Sequence, residues 1–248
     1  MAPGANRVRS VTQPIVILGG FLITAEAYGP MAETLGWLCG QPVRLVGVGK
    51  AEWLLTVFPF AWARILDRVA RTVGELAAES PTGRVTLVGH SSGGIMLRLF
   101  LDGQPFQGRR FDGRAQADTI VMLGSPHTAL KATTMRRMVE RRLPGAFFGE
   151  QGQADQGGHG VRYVSVAGDL DLSDPAATAT ARRLAPAAYR NSTGYPNDRG
   201  DGLVPVASAL LAGSEQLVLK GVAHGGAFGD RWYGSPDVTA EWWRLLAG

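Results

Sequence analysis

Apolar residues are spaced along this chain in two alternating rhythms. Short, nearly continuous apolar runs recur at wide intervals, at 14–20 (PIVILGG), 42–49 (PVRLVGVG), 84–89 (RVTLVG), 119–124 (TIVMLG), 161–168 (VRYVSVAG) and 216–221 (QLVLKG). Each ends in glycine, and most are rich in β-branched residues. A strand with one wet face alternates polar and apolar positions, whereas a strand covered on both faces does not. These runs therefore predict a mostly parallel sheet buried on both sides. Between them the period lengthens. Ile65, Leu66, Val69, Val73 and Leu76 draw one apolar face along 60–78, which Pro81 and Gly83 then stop. A helix is expected to open directly after a strand at 93–101, and another, amphipathic, to close the chain at 239–247. Alternating strands and helices predict a doubly wound α/β architecture.

One stretch breaks the alternation. Residues 127–160 hold a basic helical segment, then Leu143-Pro144-Gly145-Ala146-Phe147-Phe148, then a Gly/Gln-rich run. The expectation is a cap or lid inserted into a single domain spanning 1–248, with 149–160 as a mobile loop.

Composition changes this picture little. The chain has 248 residues, 45% of them hydrophobic and 19% charged, with 34 glycines. That suits a large core with tight strand-to-helix turns and argues against disorder. The net charge is +4 and the pI about 9.6. No helix-turn-helix, zinc-finger or RNA-binding signature accompanies the charge, so nucleic acid is not an expected partner. An Arg-rich surface, or attraction to anionic surfaces such as phospholipid headgroups, accounts for it. A single cysteine, Cys39, excludes an intramolecular disulfide and a Cys-based zinc site and reads as a packing residue. Residues 1–13 lack the apolar core of a secretory signal, and no apolar run approaches the roughly 18 residues of a membrane span. The nearest candidate, 53–63, contains Pro59. A cytoplasmic protein, at most peripheral to a membrane, is expected.

Candidate chemistry centres on Gly89-His90-Ser91-Ser92-Gly93, which occurs once. A serine hydroxyl is a weak nucleophile at neutral pH. It needs a base, a group that orients the base, and donors for the developing oxyanion. Placed between a strand and a helix, this motif resembles the nucleophile elbow of the α/β-hydrolases. There the turn is too tight for side chains at Gly89 and Gly93, and Ser91 stands on a strained apex at the carboxyl end of the sheet. The resemblance implies the chain order serine, acid, histidine, with the histidine after the last strand. Of His90, His127, His159 and His224, only His224 lies there. His90 sits inside the elbow with its side chain expected to point away from Ser91. His127 is expected to support a loop, and His159 falls in the expected mobile loop. The oxyanion donors implied are the N–H of Ser92 and an N–H of the loop after the first strand, Phe21 first and Leu22 second.

Other segments narrow the resemblance to the lipase branch. Asp201-Gly202-Leu203-Val204-Pro205 resembles the acid loop of many lipases, which makes Asp201 the favoured acid, with Asp169 and Asp171 as rivals closer to the fifth strand. Gly124-Ser125-Pro126-His127 is typical of bacterial triacylglycerol lipases and of relatives of the GPI inositol-deacylase group. The layout as a whole is similar to a cyanobacterial and plastid lipase-like family, with further echoes at Pro144-Gly145-Ala146-Phe147 and Trp232-Tyr233-Gly234-Ser235. Gly19-Gly20 stands where many lipases carry His-Gly before the oxyanion residue. The resemblance implies a serine ester hydrolase acting through an acyl-enzyme on hydrophobic acyl esters, with no metal or organic cofactor. A short-chain or polyester esterase, a thioesterase, and a non-catalytic binding protein of the same fold are the alternatives. Arg136, Arg137, Arg141 and Arg142 lie beside Met135, Met138, Leu143, Phe147 and Phe148. Such a segment either makes transient contact with an anionic lipid surface or packs its apolar residues on the sheet.

Overall fold

The computed structural model describes residues 13–146 and 160–247. Six strands, β1 (Ile15–Leu18), β2 (Val43–Val46), β3 (Val85–His90), β4 (Ala117–Leu123), β5 (Arg162–Asp169) and β6 (Glu215–Lys220), fall within the six apolar runs or shifted from them by one or two residues. All pair in parallel, in the order β2-β1-β3-β4-β5-β6. The helices are α1 (Gly29–Cys39), α2 (Lys50–Leu54), α3 (Pro59–Glu79), α4 (Ser92–Leu101), α5 (Gly113–Gln116), α6 (Thr134–Arg142), α7 (Ala179–Thr193), α8 (Val206–Ala209) and α9 (Pro236–Ala247). The expected helices at 60–78, 93–101 and 239–247 correspond to α3, α4 and α9.

The sheet is covered on both sides, as its unbroken apolar runs require. Val16, Leu18, Leu87, Ile120 and Met122 face a core built with α3 and α4, where Ile65, Leu66, Val69, Val73 and Leu76 are buried. Ile17, Val88, Val121, Leu123, Val164 and Val166 face the opposite core, closed by α1 and α9 through Met31, Leu35, Trp242 and Trp243. Cys39 packs half-buried against this second core. Among the described residues no helix is long and apolar enough to cross a membrane.

The order of strands reverses between β1 and β3. From β1 the chain goes outward to β2, returns through α3 to the other side of β1, and then proceeds to β6. The loops after β1 and β3 therefore leave the sheet in opposite directions and open a crevice at its carboxyl edge, the usual position of a ligand site in such sheets.

Of the expected cap, residues 127–146 and Gly160 are described; Phe147, Phe148, His159 and the rest of the Gly/Gln-rich run lie outside the described residues. Met135, Val139 and Leu143 on and after α6 are buried against the α3–α4 core. Arg136 donates to the Pro126 carbonyl at 3.1 Å, Arg137 to that of Leu130 at 3.2 Å, and Arg142 to that of Pro105 at 3.2 Å while pairing with Asp102. Three of the four cap arginines thus bind the protein itself. Arg98 of α4 does the same from inside: it is almost fully buried and donates to the carbonyls of Leu143 and Gly145 and to His127 Nδ1.

Candidate active site

Ser91 stands between the last residue of β3 and the first of α4, with φ 52° and ψ −122°. A non-glycine residue adopts this conformation only when its surroundings impose it. Here the Ser91 N–H donates to the Leu123 carbonyl at 2.8 Å, and the Ser91 carbonyl accepts from Gly94 at 3.2 Å. The helix can start so abruptly because Gly93 has no side chain: a Cβ there would run into the carbonyls of Leu18 and Gly19 in β1 and its exit.

Two loops from the far side of the sheet meet this apex. His224, four residues beyond β6, places Nε2 at 3.0 Å from Ser91 Oγ, and its Nδ1 lies 2.8 Å from Asp201 Oδ2. Asp201 is fully buried on the loop between α7 and α8. Its Oδ1 accepts from the N–H groups of Leu203 at 3.0 Å and Val204 at 2.7 Å, and its Oδ2 accepts from the Tyr233 hydroxyl at 2.9 Å as well as from His224. Four donors on one carboxylate satisfy a buried acid. Because the carboxylate only accepts, Nδ1 of His224 carries the proton and neutral Nε2 offers its lone pair to Ser91. The Asp201 carbonyl also accepts from the His224 N–H at 2.8 Å, so backbone and side chain hold the two loops together.

Tyr233 belongs to this arrangement. Its hydroxyl accepts from Gly168 N–H at 2.6 Å and donates to Asp201. Burial, followed by the negative charge of Asp201, pushes its pKa well above the ordinary value of a phenol. It therefore acts as a neutral donor throughout the working range. Tyr189 props the same loop, accepting from Gly202 N–H at 2.7 Å.

Asp169 and Asp171 are engaged elsewhere. Asp169 pairs with Arg199 at 2.6 Å, and Asp171 accepts from the Ser173 backbone and hydroxyl at 2.8 and 2.7 Å. His90 and His127 are both buried and hydrogen-bonded away from Ser91 Oγ. Burial holds both imidazoles well below the ordinary histidine range, reinforced for His90 by the neighbouring imidazole of His224, which disfavours a second positive charge there, and for His127 by the charges of Arg98 and Arg136. His159 lies outside the described residues.

Ser91 opens on a cavity of about 500 Å³, lined on its apolar side by Phe21, Ile23, Leu203, Phe228 and Trp232. Phe21 lies in the loop after β1. The Ile23 N–H donates to the Gly20 carbonyl at 3.1 Å, closing a turn with Phe21 and Leu22 at its centre, and Leu22 takes φ 61°. Gly20 lies against Ser91, since a Cβ there would stand 2.9 Å from Ser91 Cβ. Ser92 is the first residue of α4, where backbone N–H groups have no intrahelical acceptor. Among the described residues there is no cluster of three or more His, Cys, Asp or Glu side chains arranged to hold a metal.

Sequence reasoning did not place Tyr28 or Tyr189 beside this site, and it carried Trp232 and Tyr233 only as part of a segment resembling the lipase-like family. Their hydroxyls and rings come from separate segments of the chain, around residues 28, 189 and 232–233, and no spacing along the chain records that.

No protein-family model matches this chain. No curated protein sequence matches it either. Solved structures do. The chain is similar to the lipase BlEst2 of Bacillus licheniformis in its mature form, with 17% identity and a TM-score of 0.57 over 99% of this chain and 96% of that one. It is similar to the lin2722 gene product of Listeria innocua, with 15% identity and a TM-score of 0.55 over 95% and 94% of the two chains. It is also similar to EstA of Clostridium botulinum, with 14% identity and a TM-score of 0.53 over 96% and 89%. At these identities the likeness concerns the path of the chain. With its parallel sheet, its serine on a strand-to-helix apex and these neighbours, the chain has the α/β-hydrolase fold.

Proposed function

We propose that the protein is a serine carboxylic-ester hydrolase with Ser91 as nucleophile, His224 as general base and acid, and Asp201 as the acid that orients it. The observation that carries this reading is the unbroken hydrogen-bond chain from Ser91 Oγ through both nitrogens of His224 to Asp201 Oδ2. Ser91 attacks the ester carbonyl while Nε2 takes its proton. Asp201 stabilises the imidazolium, and the N–H groups of Phe21 and Ser92 receive the oxyanion. The proton then passes to the departing alcohol. Water, activated by the same imidazole, releases the acid from the acyl-enzyme.

The lining of the cavity supports a hydrophobic acyl ester. Phe21 stacks edge-on against Trp53, ring centroids 6.2 Å apart, and beyond Trp53 the chain leaves Leu54, Val57, Phe58 and Phe60 exposed. The likeness to a lipase agrees with this, and residues 127–160 are read as a cap whose described part is docked on α4.

A fluorophosphonate tests the assignment. It is expected to label Ser91 alone, and Ser91→Ala is expected to stay folded while losing hydrolysis of p-nitrophenyl esters by about 10⁶-fold. Labelling at another residue, or an active Ser91→Ala enzyme, defeats the reading. Chain-length profiling in the same assay, with thioesters alongside, separates long-chain, short-chain and thioester substrates.

A further inference from the structure

We infer that Tyr28 and His90 form a positioning couple that aims the Phe21 N–H at the oxyanion and ties its loop to His224; this rests on the reading above. The bonds dictate their own directions. His90 Nε2 lies 2.8 Å from the His224 carbonyl, which can only accept, so Nε2 carries the proton. The neutral ring then accepts at Nδ1, where the Tyr28 hydroxyl lies at 2.8 Å, so Tyr28 donates there. The same hydroxyl oxygen accepts from the Gly20 N–H at 2.8 Å. One relay therefore runs from the Gly20 N–H through Tyr28 and His90 to the backbone of His224.

Its effect falls on one peptide plane. The Gly20 carbonyl and the Phe21 N–H belong to the same planar, trans unit and point in opposite directions. The turn to Ile23 fixes the carbonyl, and Tyr28 fixes the other side of Gly20. The Phe21 N–H then has one direction left, away from the turn, while Gly20 lies against Ser91. The couple is itself enclosed. Trp232, a wall of the cavity, meets Tyr28 and His90 edge-on at 5.7 and 5.8 Å, and both residues are buried. Nothing in the proposed chemistry requires a second imidazole beside Ser91. A neutral, two-sided connector between the β1 and β6 loops does.

Oxyanion donors act most strongly in the transition state, so a misaligned donor lowers kcat and leaves KM in place. Tyr28→Phe keeps the ring and removes the relay. Rates are taken per site titrated with a fluorophosphonate, which corrects for any loss of folded protein. Tyr28→Phe is expected to lower kcat by about 10–100-fold with KM within twofold of the original. Affinity for a boronic-acid transition-state analogue is expected to fall by the same factor. His90→Leu is expected to match it, His90→Gln to recover activity by restoring a donor to the His224 carbonyl, and Tyr28→Phe/His90→Leu to be no worse than the weaker single variant. Unchanged kcat in Tyr28→Phe, or a lower kcat with full analogue affinity, overturns the couple. If Ser91→Ala is inactive in that case, the hydrolase reading stands without it; an active Ser91→Ala overturns both.

Discussion

Asp201 is the residue whose surroundings say most about its assignment. A carboxylate in a fully buried position is expensive unless its lone pairs are met, and here two backbone N–H groups, a phenol and an imidazole meet them. Asp169 and Asp171, nearer to β5 in sequence, spend their oxygens on Arg199 and Ser173. Asp201→Asn is accordingly expected to lower kcat by about 10⁴-fold, the size of loss typical when an orienting acid becomes an amide. Asp169→Asn and Asp171→Asn are expected to keep near-native rates in the same assay. A reversal of that pattern would move the acid to β5's exit. In the sequence, the Asp-Gly-x-Val-Pro segment singled out Asp201 only by resemblance. The donors that distinguish the three carboxylates come from residues 203, 204, 224 and 233 and become visible once the chain is folded.

The elbow is the element on which the site depends. Its glycine spacing was legible as a short motif, although the atoms Gly93 avoids belong to β1 and its exit, far away in sequence. Gly93→Ala forces a methyl group onto the Leu18 and Gly19 carbonyls, and backbone yields less readily than a side chain. A destabilisation of about 1–3 kcal/mol, with ester hydrolysis falling further than stability, is expected from urea unfolding and rate measurements on one preparation. A variant with native stability and rate would show that the β1 exit can move aside. The segment read as a cap is the one the sequence left least complete. Its basic stretch was recognisable as a helix, but the use of Arg136, Arg137 and Arg142 depends on carbonyls and an aspartate in other segments. Arg98 is a sharper case. In an otherwise apolar helix it is buried with carbonyl partners, and burial lowers its pKa to about 10. The α7 helix was not anticipated, because Pro186 lies inside it and interrupts the usual pattern.

For the whole molecule, the two buried neutral histidines make stability depend on pH. His90 and His127 have folded-state pKa values pushed below 6.5, mainly by burial. The unfolded chain, with ordinary imidazoles near pH 6.5, then binds more protons than the folded one below that pH. Stability is therefore full above about pH 6.5 and declines as the pH falls toward the folded-state values, by about 1.4 kcal/mol per pH unit for each histidine. Urea titrations at pH 7, 6 and 5 are expected to show this decline, and His127→Gln is expected to make it shallower by one proton's worth. An equal slope in the variant would mean that His127 is protonated in the folded protein.

The sequence by itself determined the strands, the helices α3, α4 and α9 and the type of sheet, because apolar periodicity and glycine turns act over a few residues and are written directly in the chain. It also marked Ser91 and the order of its partners, since the elbow is a local motif and the resemblance supplies the rest. Tertiary structure alone decided that Gly20 lies on Ser91, that Tyr28 and His90 join the β1 and β6 loops, and that Tyr233 completes the shell of Asp201. Those contacts join residues 8 to 134 positions apart along the chain and depend on where the loops lie above the sheet. The reversal of strand order between β1 and β3 opens the crevice in which the β1 loop meets Ser91.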